Sequence, residues 1–325
     1  MAEPTFNMPK KDTLSMTSLQ TMYPVAAAIV NTDKSLQEAL NKILKLGGAN
    51  VAPELRLQII MDTYWYKTNT EQSRLFQMAK SADPATYAKD LQDNTLQVIR
   101  TWAKSGLQID PANAVQIAEN MMQGSVVKDG KMFIYDQNYL KKMMAESIKF
   151  EKTKKLVNGT TVYDFDGELA TVADQLYQMA DAYGFKSTVS NKNFSRWFES
   201  NLKGLVEGTV NAQDVDDELK QRAMSAFPGL TDKITMGQTL RQAADPWINA
   251  IATELELNPQ DIDLNDDLIQ RSLSMQDDKG NFAPMNLRET RLAARKDKRW
   301  QYTSKAKEEY TNIGSQLLQS MGFLG

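Results

Sequence analysis

The chain has neither histidine nor cysteine. It therefore cannot build Ser-His-Asp or Cys-His triads, use imidazole as a general base, hold zinc through nitrogen and sulfur, ligate haem through His or Cys, or form a disulfide. Glycine-rich phosphate loops of the dinucleotide and Walker types are missing too. No run of about 18 apolar residues occurs. The opening Met1-Ala2-Glu3-Pro4-Thr5-Phe6 has neither the basic nor the apolar stretch of a signal peptide. Synthesis and folding in a cytoplasm are expected, and the lack of a disulfide framework leaves the final compartment open. Excess charge of one sign is also lacking: 38 Lys and Arg against 41 Asp and Glu give a net charge of -3. Wholesale coating of nucleic acid is not expected from that balance. What remains is carboxylate, lysine, tyrosine and hydroxyl chemistry, and no cofactor is expected.

The 325 residues, 42% apolar and 24% charged, suit a globular chain of about two domains with a core of its own. The patterning predicts a mainly α fold: many helices in two helical lobes, two short β-hairpins and a helical C-terminal extension. Residues 1–14 read as an extended arm. A first lobe is expected over 15–155, with a hairpin near 126–134, a second over 156–244, and a C-terminal assembly segment over 245–325. Leu36, Ala39, Leu40, Ile43 and Leu44 make one face of a helix over Ser35–Leu46 that stops at Gly47-Gly48. Residues 53–66 repeat the pattern with Leu55, Ile59, Ile60 and Tyr64. Asp83-Pro84 and Asp110-Pro111 open two further helices, each pairing a capping carboxylate with a proline in the first turn. Asp129-Gly130 and Asn158-Gly159 between apolar arms predict two-residue hairpin turns, because both central positions need positive φ. The helix between the hairpins runs into a basic stretch, Lys149, Lys152, Lys154 and Lys155. Helices are expected again near 167–183, 191–203, 214–226, 237–256, 266–275, 287–297 and 304–321. A loose echo at about 80 residues relates Gly106 and Gly124 to Gly184 and Gly204. It reads either as a duplicated helical unit or as the general grammar of helix and glycine.

Several constellations have plain readings. Asp261, Asp263, Asn265 and Asp267 alternate like the start of a calcium loop, but Asp266 and Ser272 stand where that loop needs Gly and Glu. A solvated acidic loop capping the next helix is expected. Two carboxylates suffice for glycoside hydrolysis, yet no motif singles out any of Glu38, Glu119, Glu146, Glu168 and Glu199. No catalytic motif is found, and the chain is expected not to be an enzyme. Charge order near the C-terminus is sharper. Residues 256–278 hold seven acids against Arg271 alone, and residues 288–307 hold eight bases against Glu289 and Asp297. Trp300 and Tyr302 lie inside the basic stretch. Two uses follow: nucleic-acid contact through phosphates and stacking, or pairing of the two blocks within a chain or between neighbours. Pairing is favoured. The interaction candidates are Arg291, Arg295, Lys298, Arg299, Trp300, Tyr302, Asp263 and Asp267. No catalytic, cofactor or metal residue is assigned.

Tyr64-Trp65-Tyr66-Lys67-Thr68-Asn69-Thr70-Glu71-Gln72-Ser73-Arg74-Leu75-Phe76, followed by Asp83-Pro84-Ala85-Thr86-Tyr87, resembles the middle region of minor structural or internal proteins of tailed bacteriophages. Ala244-Asp245-Pro246-Trp247, Leu255-Glu256-Leu257, Ile262-Asp263-Leu264, Asp277 to Met285 and Asp297 to Lys307 look like the C-terminal segment of such virion proteins. The likeness covers about 65–110 and 240–325. It implies a non-enzymatic structural protein, internal, in the tail or in the genome-ejection apparatus, made in the host cytoplasm and located in the virion. Its implied partners are other virion proteins and copies of itself in a homo-oligomer, with DNA contact a further one. A DNA-handling or peptidoglycan-degrading virion protein is the alternative.

Overall fold

The structure, a computed structural model, describes residues 20, 23–157, 160–185, 191–276, 280 and 282–320. The expected arm over 1–14, the Asn158-Gly159 turn, Asp277, Asp278 and Lys279, and Met321 lie outside the described residues. Among the described residues the chain is mainly α, with seventeen α-helices and three two-stranded antiparallel sheets. It divides into two compact units, Met1–Ser147 and Ile148–Gly325. The division falls before the expected 155/156 boundary for a physical reason. Phe150 rings against Tyr163 and Phe165 at 5.4 and 6.0 Å, so its helical turn belongs to the second core.

In the first unit, α1 (Pro24–Thr32) precedes α2 (Lys34–Lys45). Asp33 caps α2 by accepting from the Ser35 and Leu36 N–H groups at 2.8 and 3.1 Å. Leu36, Ala39 and Ile43 are buried on the expected face. The expected helix over 53–66 is broken in two. α3 (Pro53–Met61) ends, and Thr63 caps a new turn, α4 (Tyr64–Thr68), by accepting from the Tyr66 N–H. Ile59 is buried, but Leu55 and Tyr64 are exposed. Then follow α5 (Glu71–Ala82), α6 (Pro84–Lys104) and α7 (Pro111–Gln123). Asp83 and Asp110 cap the last two as their Asp-Pro openings require, and Trp102, Ala114 and Ala118 pack the centre. Apolar periodicity does not announce α1 or α5. Strands β1 (Ser125–Lys128) and β2 (Lys131–Ile134) pair with Val126 opposite Phe133. Asp129 and Gly130 have φ of 49 and 72°, the left-handed pair that a two-residue turn needs. Helix α8 (Gln137–Ser147) closes the unit.

The segment 64–77 forms a polar hub within this unit. Trp65 Nε1 donates to Gln77, Gln77 Nε2 and Ser73 Oγ both donate to Asn69 Oδ1, and Gln123 Nε2 donates to Ser73 Oγ, all between 2.7 and 2.8 Å. Ser73 is fully buried, and the hub supplies the partners that a buried hydroxyl requires.

The second unit starts with α9 (Phe150–Thr153) and the hairpin of β3 (Lys154–Val157) and β4 (Thr160–Tyr163). It continues through α10 (Gly167–Ala182), α11 (Lys192–Glu207), α12 (Ala212–Ala226), α13 (Thr231–Thr235) and α14 (Leu240–Leu255). After α15 (Asp267–Leu273) comes a third hairpin, β5 (Met275–Gln276) with β6 (Phe282–Ala283). Helices α16 (Leu287–Arg295) and α17 (Ser304–Ser320) complete the unit. Its core combines an aromatic cluster around Phe194 and Phe198 with Leu176, Leu202, Leu219, Leu240, Ile251 and Ile269.

Two expectations are corrected here. The boundary at 245 falls inside α14, which runs through Pro246. Proline removes one helical hydrogen bond, but Ala243, Ala244, Ile248 and Ile251 are buried on both sides of it and hold the helix. Residues 245–325 do not form a unit of their own: they fall within the Ile148–Gly325 unit, with Ile262, Leu264, Leu268, Ile269, Leu273, Ala294 and Ala306 all buried. A Cβ on Gly229 would meet Pro284 Cδ at 2.6 Å, so the third hairpin lies directly on the Pro228–Leu230 turn. The 80-residue echo also fails. Gly106, Gly124 and Gly184 end helices or turns with positive φ, whereas Gly204 sits inside α11, and Gly208 (φ 83°) terminates that helix.

Candidate functional site

The acidic and basic blocks meet within one chain. Helix α14 carries Glu254 on its buried face, at a position where apolar periodicity calls for a core residue. Arg295, at the end of α16, donates from Nε to Glu254 at 3.1 Å and lies 4.0 Å from Glu309. Glu256 follows α14 with φ 54°. Its carboxylate accepts from the Ser304 and Lys305 N–H groups at 2.8 and 3.0 Å, capping α17. Lys305 Nζ closes the arrangement on the Thr253 carbonyl at 2.7 Å. Arg299 forms a fork: its guanidinium bonds both oxygens of Asp266, at 2.5 and 3.2 Å, and both oxygens of Asp297, at 2.8 and 2.9 Å. Planar bidentate pairing of this kind is the strong form of the Arg–carboxylate interaction.

Of the eight candidates, Arg295, Arg299 and Trp300 belong to this arrangement. Trp300 packs edge-on against Tyr310 at 6.0 Å. Asp263 and Asp267 are not the acidic partners. Asp263 Oδ1 is taken by the N–H and side-chain amide of Asn265, and Asp267 is exposed at the first position of α15. Asp266, Glu254 and Glu256 pair instead: Asp266 and Glu256 belong to the acidic block expected to pair but were not singled out in it, and Glu254 lies outside that block and was missed. The signals were Asp266 before Leu268-Ile269, where it caps α15 through the Leu268 N–H, and Glu254 inside the apolar stripe of α14. Arg291 and Lys298 are exposed and make no ion pair among the described residues. Tyr302 is 75% exposed.

Beyond Ala306, α17 has no buried side chain among the described residues, and Tyr310, Ile313 and Leu317 are exposed on one face. A helix of this length is marginal in water unless packing supports it. Its first turn is capped and bolted; its outer turns gain support only if a partner covers the apolar stripe.

Hydrogen bonds from Arg299 hold the Asp297 carboxyl below its usual range. The Ser304 and Lys305 N–H groups do the same for Glu256. The folded state therefore binds fewer protons at these groups than the unfolded chain does. Their stabilisation is present above about pH 4 and is lost as pH falls through the depressed values. Thermal melts from pH 5 down to 3 will show a falling midpoint, and Asp297→Asn will show a smaller fall than wild type.

The carboxylates considered for catalysis are structural acceptors or exposed. Glu119 accepts from Lys80 Nζ and the Tyr87 hydroxyl, both at 2.7 Å, and is held ionised by them, the reverse of what a general acid needs. Glu38 faces Lys34 at 3.9 Å, and Glu146 is exposed. Glu199 accepts from the Tyr163 hydroxyl, and burial raises that phenol's pKa first, the carboxylate second. Tyr163 therefore stays protonated and acts as a donor. Among the described residues no cluster of acidic side chains could hold a metal ion, and no helix is long and apolar enough to cross a membrane. A polar cleft of about 560 Å³ opens between α11 and the β3–β4 hairpin. Comparison with protein-family models, with curated proteins and with solved structures finds no match.

Proposed function

We propose that the protein is a non-enzymatic structural component of a bacteriophage particle, in its interior, tail or ejection apparatus, which works by assembling with copies of itself and with other virion proteins. The observation that carries the assembly reading is the outer part of α17. A helix anchored at its base by Glu256, Lys305 and Ala306 presents Tyr310, Ile313 and Leu317 exposed on one face, Tyr310 meeting only the edge of Trp300 among the ring contacts of the described residues. Aromatic and aliphatic side chains in such a stripe are the kind that anchor helix-to-helix interfaces. The phage attribution rests on the resemblance of the 64–87 and 244–307 segments to virion proteins.

Sedimentation velocity of the full chain tests the assembly reading. Wild type is expected to shift to larger species as concentration rises. The variant Tyr310→Ser/Ile313→Ser/Leu317→Ser is expected to stay monomeric with an unchanged melting midpoint. Identical behaviour of the two proteins would remove the α17 stripe from the account. A peptidoglycan zymogram with a cleared band at the mass of the chain would replace the structural reading with the wall-degrading one.

A further inference from the structure

We infer that the cleft between α11 and the β3–β4 hairpin binds the phosphate backbone of a nucleic-acid strand. This inference does not depend on self-assembly, and it uses none of the basic residues of α16 and its following turn.

The cleft is built from one helix face. Lys192, Ser195, Arg196, Glu199, Ser200 and Lys203 follow one another at steps of three, one, three, one and three, so they form a single polar stripe along α11. The opposite face holds Phe194, Trp197, Phe198 and Leu202, all buried in the aromatic core. Phe194 and Phe198 lie within 5.6 Å of each other, and Phe198 stacks on Tyr163 at 5.1 Å. With that face locked, α11 cannot turn, and the stripe is presented in one orientation. The hairpin supplies the facing wall through Lys154 and Tyr163.

The charge in the cleft is unbalanced. Four cations face one carboxylate, and that carboxylate, Glu199, is engaged by the Tyr163 hydroxyl. Lys154 is paired with Glu151 at 2.6 Å. Among the described residues, Lys192 and Arg196 make no ion pair, and Lys203 makes only a contact over the Phe150 ring at 5.6 Å. Three cations held on a fixed face, with hydroxyls between them, form a preorganised site for phosphate oxygens.

The spacing selects the ligand. Lys192 and Lys203 are eleven residues apart, about 16 Å along the helix at about 1.5 Å per residue. One phosphate group reaches only part of that length. A strand with about 3.4 Å of axial rise per nucleotide places about five phosphates along it. No base-reading geometry accompanies the cations, because Tyr163 is buried and its hydroxyl is committed to Glu199. Binding is therefore expected to be independent of sequence and strongly dependent on salt. Lys149 and Lys152 are exposed where the chain enters β3. Leu156, 70% exposed on β3, gives an anionic membrane a foothold beside these lysines, so vesicles belong in the test.

The test uses the full chain and a labelled 20-nucleotide single-stranded DNA, read by fluorescence anisotropy at several salt concentrations. Wild type is expected to bind at low salt. Lys192→Gln/Arg196→Gln/Lys203→Gln is expected to weaken binding at least tenfold, and to reduce the slope of log K against log salt by about two, roughly 0.7 for each phosphate that is no longer neutralised. The control Arg291→Gln/Lys298→Gln is expected to bind like wild type. Melting curves check that the triple variant folds, and Arg196→Glu alone provides a second variant with the same expected direction. Equal binding by wild type and the cleft variants would overturn the inference, as would no binding by wild type at low salt. Full competition by millimolar inorganic phosphate would reduce the cleft to a single-phosphate site and overturn the strand assignment. Cosedimentation with vesicles containing phosphatidylserine, without an anisotropy change on DNA, would assign the surface to membranes instead.

Discussion

Ending the chain after Leu255 will unfold the second unit. The removed segment contributes Ile262, Leu264, Leu268, Ile269 and Leu273, all less than 5% exposed, together with Ala294 and Ala306. Full burial of a large aliphatic side chain is worth about 1.5–3 kcal/mol, so these five alone are comparable to the whole stability of a domain, about 5–15 kcal/mol. Polar ties would go with them. Trp247 Nε1 would lose the Met285 carbonyl at 2.6 Å, and Glu254 would remain in the core without Arg295. A carboxylate left buried without its partner adds to the loss. Calorimetry is expected to show one cooperative transition missing from the truncated chain, with a drop in helical signal larger than the deleted helices explain. A truncated chain that melts like wild type would mean that residues 256–325 lie outside the core.

Phe198→Ala is expected to destabilise the same unit by about 3–5 kcal/mol, the usual cost of emptying a phenylalanine site. Phe198 is fully buried, and its ring meets Tyr163 at 5.1 Å, Tyr177 at 4.8 Å and Phe194 at 5.6 Å. Aromatic pairs add to area burial. Phe198→Leu, which keeps most of the volume, is expected to cost less than half as much. Urea titration of both variants measures the difference, and equal losses would show that the site collapses around either side chain.

The helices whose starts carry a strong local signal were legible in the sequence. Asp83-Pro84 and Asp110-Pro111 fix helix starts through one carboxylate each, and Asp129-Gly130 fixes a turn through its two positive φ values. Features decided by distant partners were not legible. At the break after Thr63 the Trp65 N–H donates to Ser35 Oγ across 30 positions, while α5 buries only Ser73, which no apolar period announces. The charge blocks were visible as blocks, and their intrachain pairing was one of the readings. Which acids pair was hidden, because Glu254 meets Arg295 across 41 positions and Asp266 meets Arg299 across 33. The cleft on α11 was hidden for the same reason. Its stripe lies on a helix the sequence did indicate, but the wall that makes it concave comes from a hairpin about 40 positions earlier.

The absence of cysteine makes the most direct test of assembly a clean one. A single Ile313→Cys substitution places one thiol on the exposed apolar stripe of α17, and Ser315→Cys places one about 200° around the same helix. Under mild oxidation at concentrations where wild type associates, Ile313→Cys is expected to form a covalent dimer in high yield, and Ser315→Cys little. Equal, low yields from both positions would contradict assembly through this face.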